Sequence, residues 1–235
     1  MHRVFISDLH LDSQDERYSA LLTLLDELPS GCELYLLGDI FEAWVGDDDD
    51  APWLAELAQH LLALRQRDIH AFFMHGNRDF LLGEQWAQTA GLTIIKAPYL
   101  IEQDTGENWV LCHGDELCTD DEEYQAFRKL SRSDEWQQAL LAKPLAERKA
   151  IALHLRQQSQ QSNANKADNI MDVNAAAVER LHLEANAQVI LHGHTHRPKI
   201  HELGEFQRVV LGDWTDHYYY VVSDGSRLEL LKRAI

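Results

Sequence analysis

Short apolar runs alternate with longer amphipathic stretches along most of the chain. "RVFIS" (3–7), "ELYLL" (33–37), "AFFMH" (71–75), "NWVLCH" (108–113), "AQVILH" (187–192) and "QRVVLG" (207–212) are brief, rich in β-branched and aromatic residues, and read as buried strands. "YSALLTLLDEL" (18–28) and "WLAELAQHLLALRQ" (53–66) space their apolar residues as a helix face does. "HYYYVVS" (217–223) and "RLELLKR" (227–233), separated by "DGS", predict a closing β-hairpin. Strands and helices in alternation predict an α/β fold with helices covering a sheet.

One region departs from this rhythm. Between Asp121 and about Asn186 the pattern is helical, broken at Pro144 and at the polar "QQSQQSNANKADN" (157–169). Residues 125–166 carry eight basic side chains (Arg128, Lys129, Arg132, Lys143, Arg148, Lys149, Arg156, Lys166) against three acidic ones. The whole chain of 235 residues has a formal charge of −18, so a basic helical segment of about +5 sits in an acidic remainder. The expected organisation is a core of residues 1–120 and 187–235, with 121–186 as a helical insertion. Such an insertion either defines the substrate or is a solvated hairpin decorating the fold. "WQQALLAKPLAERKAIALHL" (136–155) mixes apolar and basic residues at helical spacing, which suits contact with a membrane surface, with Arg148 and Lys149 facing anionic headgroups. "GDDDD" (46–50) reads as a solvated acidic loop or cap.

The totals exclude several classes. The negative charge argues against a general nucleic-acid surface. Three cysteines without CxxC spacing fit a reducing cytosol rather than a disulfide scaffold. No run reaches the length of a membrane span and nothing resembles a signal peptide, so the expectation is a cytoplasmic protein, at most bound to a membrane surface. No obligatory protein partner is evident.

Chemistry gathers at the strand ends. The first strand runs into Asp8 and His10, the second into Asp39, the third into Asn77, Arg78 and Asp79, the fourth into His113, and the fifth into "HGHTH" with His192, His194 and His196. Ligands of open α/β sheets bind at the carboxyl ends of strands. Glycines 38, 76, 114 and 193 beside these groups would let the chain turn. Carboxylates, an amide and imidazoles without thiolate suit two ions of the Mn²⁺, Fe²⁺ or Zn²⁺ kind rather than an all-oxygen Mg²⁺ or Ca²⁺ site. Two such ions would clamp a phosphoryl group, with Asp39, alone on its strand end, as the bridging carboxylate.

The series D-x-H, G-D, G-N-R-D, H-G-D, G-H-T-H resembles the motifs of the calcineurin-like metallophosphoesterases. That resemblance implies an α/β/β/α sandwich of two sheets and a dinuclear centre. One metal falls to Asp8, His10, Asp39 and His196, and the other to Asp39, Asn77, His113 and His194. His192 stays outside the set. Many members carry His after the Asn, where this chain has Arg78. Arginine cannot act as a general acid at neutral pH but binds phosphate bidentately, so a leaving group needing no proton is expected. "FISDLHLD", "LGDIFEAWVGDDD", "HGNRDFLLG", "HGDELCTDDEEYQAFR", "IMDVN" and "HGHTHRP" further resemble the UDP-2,3-diacylglucosamine hydrolases of lipid A synthesis. This implies Mn²⁺-dependent hydrolysis of UDP-2,3-diacylglucosamine to UMP and the lipid 1-phosphate at the cytoplasmic face of the inner membrane. Two Mn²⁺ per chain are implied, with Asn77, Arg78 and His194 catalytic. Asn77, Arg78, Asp121, Ser159, Asn163, Lys166 and His194 would contact substrate, and the insertion would cover the acyl chains. The competing reading is a soluble phosphodiesterase or phosphatase of the same superfamily.

Overall fold

The computed structural model describes residues 2–103, 105–163, 170, 172–225 and 227–235, without the side chains of residues 162 and 163. Strands β1 (Arg3–Ile6), β2 (Glu33–Leu36), β3 (His70–Met74) and β4 (Leu92–Ile95) run parallel, and β10 (His217–Ser223) and β11 (Leu228–Ala234) add an antiparallel edge. This gives one sheet in the order β11-β10-β1-β2-β3-β4. The second sheet has the order β5-β6-β7-β9-β8, from β5 (Tyr99–Glu102), β6 (Asn108–Leu111), β7 (Val189–His192), β8 (Lys199–Glu202) and β9 (Gln207–Val210). Three strands that the pattern did not predict, β4, β5 and β8, lie on or next to sheet edges, where one side of the ladder leaves less apolar signal.

The continuous apolar runs arise because the central strands are covered on both faces. Phe5, Tyr35, Leu37, Met74, Trp109, Leu111, Val189, Leu191 and Val209 alternate inward and fill the space between the sheets. Tyr35 stacks between Phe5 and Phe72, with ring centroids 5.0 and 4.8 Å away. The opposite residues of the first sheet, such as Val4, Ile6, Leu34, Leu36 and Phe73, pack under helices α1 (Glu16–Glu27) and α2 (Pro52–Ala63) and beside α3 (Glu84–Thr89). On the outer face of the second sheet, Val110, Cys112 and Ile190 meet Ala177 and Val178. The architecture is the expected sandwich of helix, sheet, sheet and helix.

Residues 122–163 form α4 (Glu122–Ser131), α5 (Asp134–Leu141) and α6 (Leu145–Asn163), and α7 (Ala175–Ala185) supplies Ala177 and Val178. Helices α4 to α6 bury little: Leu140, Ser131 and Arg148 are buried, while Leu130, Leu141 and Leu153 are 55, 40 and 61 % exposed. Their attachment combines apolar contacts, with Leu140, Trp136 and Ile151 packed on the core, and ion pairs. Arg148 is 2 % exposed and donates to the Val45 carbonyl (2.5 Å) and to both oxygens of Asp48; Lys149 donates to Asp49 (2.8 Å). This corrects two expectations. Arg148 turns inward, Lys149 stays exposed but is engaged by Asp49, and the acidic 46–50 run is not simply solvated. The run is the counter-charge that holds α6, because a guanidinium taken out of water must be paired.

Candidate metal centre

Every ligand type predicted at a strand end comes to the same edge of the two sheets. The backbone makes this happen with unusual conformations. Of the seven non-glycine residues with positive φ among those described, five are Asp8 (58°), His10 (54°), Asp39 (54°), His194 (65°) and His196 (54°). L-residues adopt this left-handed region only where the surroundings over-determine it, and it aims each side chain inward from a sharp turn. The turning is therefore done largely by the polar residues themselves. Gly76 and Gly193 serve close approach: a Cβ at Gly76 would run into the Asp39 carboxylate, and one at Gly193 into Asp8 Oδ2 and Ser7 Oγ.

Two triads result, Asp8–His10–His196 and Asp8–Asp39–His113, each with ligand atoms within 4.8 Å of one another. Asp8, rather than the expected Asp39, is the carboxylate common to both. His10 Nε2 lies 3.2 Å from His196 Nε2, and His196 Nε2 lies 3.3 Å from Asp8 Oδ1. His113 Nδ1 donates to the Leu37 carbonyl (2.8 Å), which turns Nε2 toward Asn77 Oδ1 at 3.0 Å and Asp39 Oδ1 at 3.6 Å. His194 stands edge-on to His113, ring centroids 5.1 Å apart, and its backbone N–H donates to Asp8 Oδ2 (2.9 Å).

These contacts fit a cation better than they fit each other. Asp8 Oδ1 and His10 Nδ1 are buried with no hydrogen-bond partner among the described residues. Two imidazole nitrogens face one another at 3.2 Å, and two carboxylates stand among three imidazoles, a crowding of lone pairs and negative charge that a cation would resolve. The protonation states say the same. Burial, with Asp79 and Asp8 nearby, pushes the Asp39 carboxyl up to about 7. Burial opposes charge on His113, but Asp39 and Asp8 outweigh it and raise its imidazole to about 9. Burial keeps His10 well below its usual range and His194 down at about 3, so both present neutral, ligating rings at pH 7. Asp8, His10, Asp39, His113 and His196 thus form clusters suited to borderline divalent ions, with Asn77 Oδ1 and the His194 ring against His113. His192 is buried on β7 with Nδ1 against the Gly193 carbonyl, outside both triads.

Several supporting residues carried no signal that sequence reasoning used. Asp79 accepts from the backbone N–H groups of Ile40 (2.8 Å) and Gly76 (2.8 Å), locking the loops of Asp39 and Asn77 together. Asp115 accepts from Tyr124 Oη (2.6 Å) and Arg128 Nε (2.8 Å), fixing α4 against the site, where Tyr124 stacks on His194. Glu42 pairs with Arg78 and, at 2.5 Å, with Arg156 of α6. Arg78 also lies 3.4 Å from Asp39 Oδ2. The acidic partners in "GNRD" and "HGD" were visible, but the role of Asp79 depends on Ile40, 39 residues away, and that of Asp115 on how α4 folds back over the site.

The remaining substrate candidates are more scattered. Asp121 is the N-cap of α4, accepting from the Tyr124 N–H (3.1 Å). Ser159 is exposed on α6, three residues beyond Arg156. The Asn163 side chain and Lys166 lie outside the described residues.

A family model described as calcineurin-like phosphoesterase matches residues 1–198. The UDP-2,3-diacylglucosamine hydrolase of Aeromonas hydrophila subsp. hydrophila is 46 % identical over 220 residues, covering 91 % of each chain. Its namesake in Aromatoleum aromaticum is 45 % identical, covering 96 % of this chain and 94 % of its own. That of Aeromonas salmonicida is 42 % identical over all of this chain and 94 % of its own. An archaeal phosphodiesterase superposes over the full length of both chains with a TM-score of 0.53 at 12 % identity, a likeness of fold. The two-sheet sandwich, the donor set at its strand ends and these relatives agree: the chain belongs to the calcineurin-like phosphoesterase family and is a hydrolase of the metal-dependent kind.

Proposed function

We propose that the chain hydrolyses the pyrophosphate bond of UDP-2,3-diacylglucosamine to UMP and 2,3-diacylglucosamine 1-phosphate, using two Mn²⁺ ions. The observation that carries this reading is Arg78 beside the donor cluster, in a chain 42–46 % identical to hydrolases named for that substrate. Divalent ions in the cluster would supply Lewis acidity, an acidified water and charge compensation on the phosphoryl oxygens. The chain's own residues do the rest. Asp8, His10, Asp39 and His196 would hold one ion, and Asp39, Asn77, His113 and His194 the other. Arg78, held at the rim by Glu42, offers a fork of donors to the charge that grows on the phosphate oxygens. The leaving group is itself a phosphate monoester with a second ionisation near pH 6, so it departs as an anion without a general acid.

Helices α4 to α6 serve as the acyl-binding cover, and Asp121, Ser159, Asn163 and Lys166 contact the substrate. Among the described residues no helix is long and apolar enough to cross a membrane. A peripheral position on the cytoplasmic face of the inner membrane is supported by the exposed Leu130, Leu141 and Leu153, not by Arg148 or Lys149. The deciding experiment compares UMP release from the lipid substrate with hydrolysis of p-nitrophenyl phosphate, with and without Mn²⁺. Mn²⁺-dependent UMP release with little phosphatase activity is the expected result. Efficient p-nitrophenyl phosphate turnover without UMP release would overturn the reading.

A further inference from the structure

A cleft of about 340 Å³ opens beside the donor cluster, and the mechanism above does not use it. It is lined by Asp172, Thr195, Arg197, Lys199, His201 and Arg208, among others. Thr195 stands between His194 and His196, so one wall of the cleft is the loop that carries two of the candidate ligands. The other walls are β8 and β9. Helices α4 and α6 reach the cluster from elsewhere: Arg132 donates to the Gly76 carbonyl (2.7 Å) and Arg156 pairs with Glu42, on the loops after β3 and β2.

Two features mark the cleft as built for a ligand. Thr195 Oγ1 and Arg208 Nη1 are buried yet have no hydrogen-bond partner among the described residues. Such groups cost free energy unless something arrives to pair with them. The charge is also out of keeping with the chain. Among the described residues lining it, three cations, Arg197, Lys199 and Arg208, stand with one carboxylate, Asp172, in a protein of net charge −18. Asp172 is shared, accepting from Arg197 Nη1 at 2.9 Å and lying 3.7 Å from Arg208 Nη1. Arg208 Nη2 lies 3.1 Å from His201 Nε2.

We infer that this cleft receives the nucleotide half of the substrate, a pyrimidine nucleoside monophosphate once the bond is cut. The inference rests on the proposed function and extends it by assigning the two halves of the substrate to opposite sides of the cluster. The acylated sugar lies on the α4–α6 side, and the nucleotide lies over β8 and β9. The volume falls in the range of small-ligand pockets. The cations suit the phosphate, and a carboxylate among them suits the ribose hydroxyls, as in other nucleotide sites. In hydrolysis the water oxygen bonds to the uridine-side phosphorus and its released proton passes to solvent, while the bond from that phosphorus to the bridging oxygen breaks. The bridging oxygen and its electron pair leave with the sugar phosphate, and UMP remains over the cleft.

The test is UMP binding to the full-length, metal-stripped protein, followed by calorimetry and by NMR of backbone amides and arginine Nε–H groups. UMP should shift signals of Thr195, Lys199 and Arg208. Arg208→Gln, which removes the charge but keeps a polar amide, and Lys199→Glu on the exposed rim should each weaken UMP binding tenfold or more. Lys232→Ala, on β11, should bind UMP as the wild type does. Inorganic phosphate, the anion alone, should shift Lys199 and Arg208 but bind at least tenfold more weakly than UMP; equal affinity would show an anion site without a place for the nucleoside and would overturn the assignment. Absence of UMP binding, shifts confined to the Asp8 and Asp39 loops, or unchanged affinity in both Arg208→Gln and Lys199→Glu would overturn the assignment. A parallel assay of UMP release from the lipid separates the two ideas. Loss of the lipid reaction in the wild type strikes the proposed function, whereas an intact reaction with UMP bound elsewhere strikes the cleft alone.

Discussion

The strand-end loops and the helices α4 to α6 are both dense in charge, and they use it in opposite ways. In the loops, ring nitrogens and side-chain oxygens crowd together: His10 Nε2 against His196 Nε2, His113 Nε2 against Asn77 and Asp39, and Asp8 Oδ1, buried without a hydrogen bond among the described residues, 3.3 Å from His196 Nε2. In the helices the charges are matched: Arg128 with Asp115, Lys143 with Glu147, Arg148 with Asp48, Lys149 with Asp49, Arg156 with Glu42. A folded chain tolerates mismatched buried polar groups only when a ligand resolves them, whereas matched pairs need nothing further. Local electrostatic mismatch, more than charge density, therefore separates a site from its support here. The basic character of the insertion helps dock it to an acidic core, alongside the packing of Leu140, Trp136 and Ile151.

The mismatch is broken most severely by removing a shared carboxylate. Asp39→Ala should lose both ions and on the order of 10³-fold or more in turnover, the several kcal/mol that metal Lewis acidity supplies. His10→Ala should mainly weaken one ion. Metal analysis of the purified variants checks this, and Asp8→Ala added to the set shows which carboxylate bridges, since the bridging one alone empties both positions. Arg78→Ala should keep its metals and lose about 10²–10³-fold, as when one donor to a developing oxyanion is removed. Arg78→Lys should recover part of that, because an ammonium lacks the fork. Arg78→His should stay impaired across the pH range; full activity with a new acidic limb would show that proton donation was the missing function.

The matched region answers to different changes. Arg148→Ala should destabilise the fold by about 2–3 kcal/mol, the worth of a charge-assisted hydrogen bond that is lost in a buried place, and should expose α6 to protease. Urea denaturation and limited proteolysis read the two effects. The same contact predicts an acid response. Hydrogen bonds from Arg148 hold the Asp48 carboxyl below its usual 3.8. A carboxyl with a lowered folded pKa contributes stability that is present above its unfolded value and lost as pH falls through the folded one. Protease protection of residues 145–163 should therefore persist down to about pH 4 and fall away below it, and Arg148→Ala should remove that dependence. The smallest effect belongs to the exposed pair Lys149–Asp49: Lys149→Ala should change stability by no more than about 0.5 kcal/mol, as solvent-screened ion pairs do.

How much of this was legible differs between the same two regions. The donor set could be read because each ligand follows a strand whose apolar run announces it, and because parallel strands deliver their carboxyl ends to one edge. The supporting Asp79, Asp115 and Glu42 could not be assigned, since their partners lie on other loops or on α4 and nothing local distinguishes them from turn residues. The 46–50 run and the cations of α6 were each visible alone. Their pairing spans about a hundred residues, and no local pattern encodes it.

What the amino-acid sequence determined by itself is periodicity and chemistry: alternating apolar strands, two amphipathic helices, a basic segment in an acidic chain, and carboxylates and imidazoles at strand ends. These follow from side-chain character over a few residues, where hydrophobic patterning is strong. The tertiary structure decided which of those groups are left without partners and which are satisfied. It put Asp8 in both triads, forced five ligand-bearing residues into the left-handed region, turned Arg148 inward, and left Thr195 Oγ1 and Arg208 Nη1 facing an open cleft. The reason is that pairing and burial depend on what lies across a few ångströms of space, and in this fold those neighbours come from distant parts of the chain.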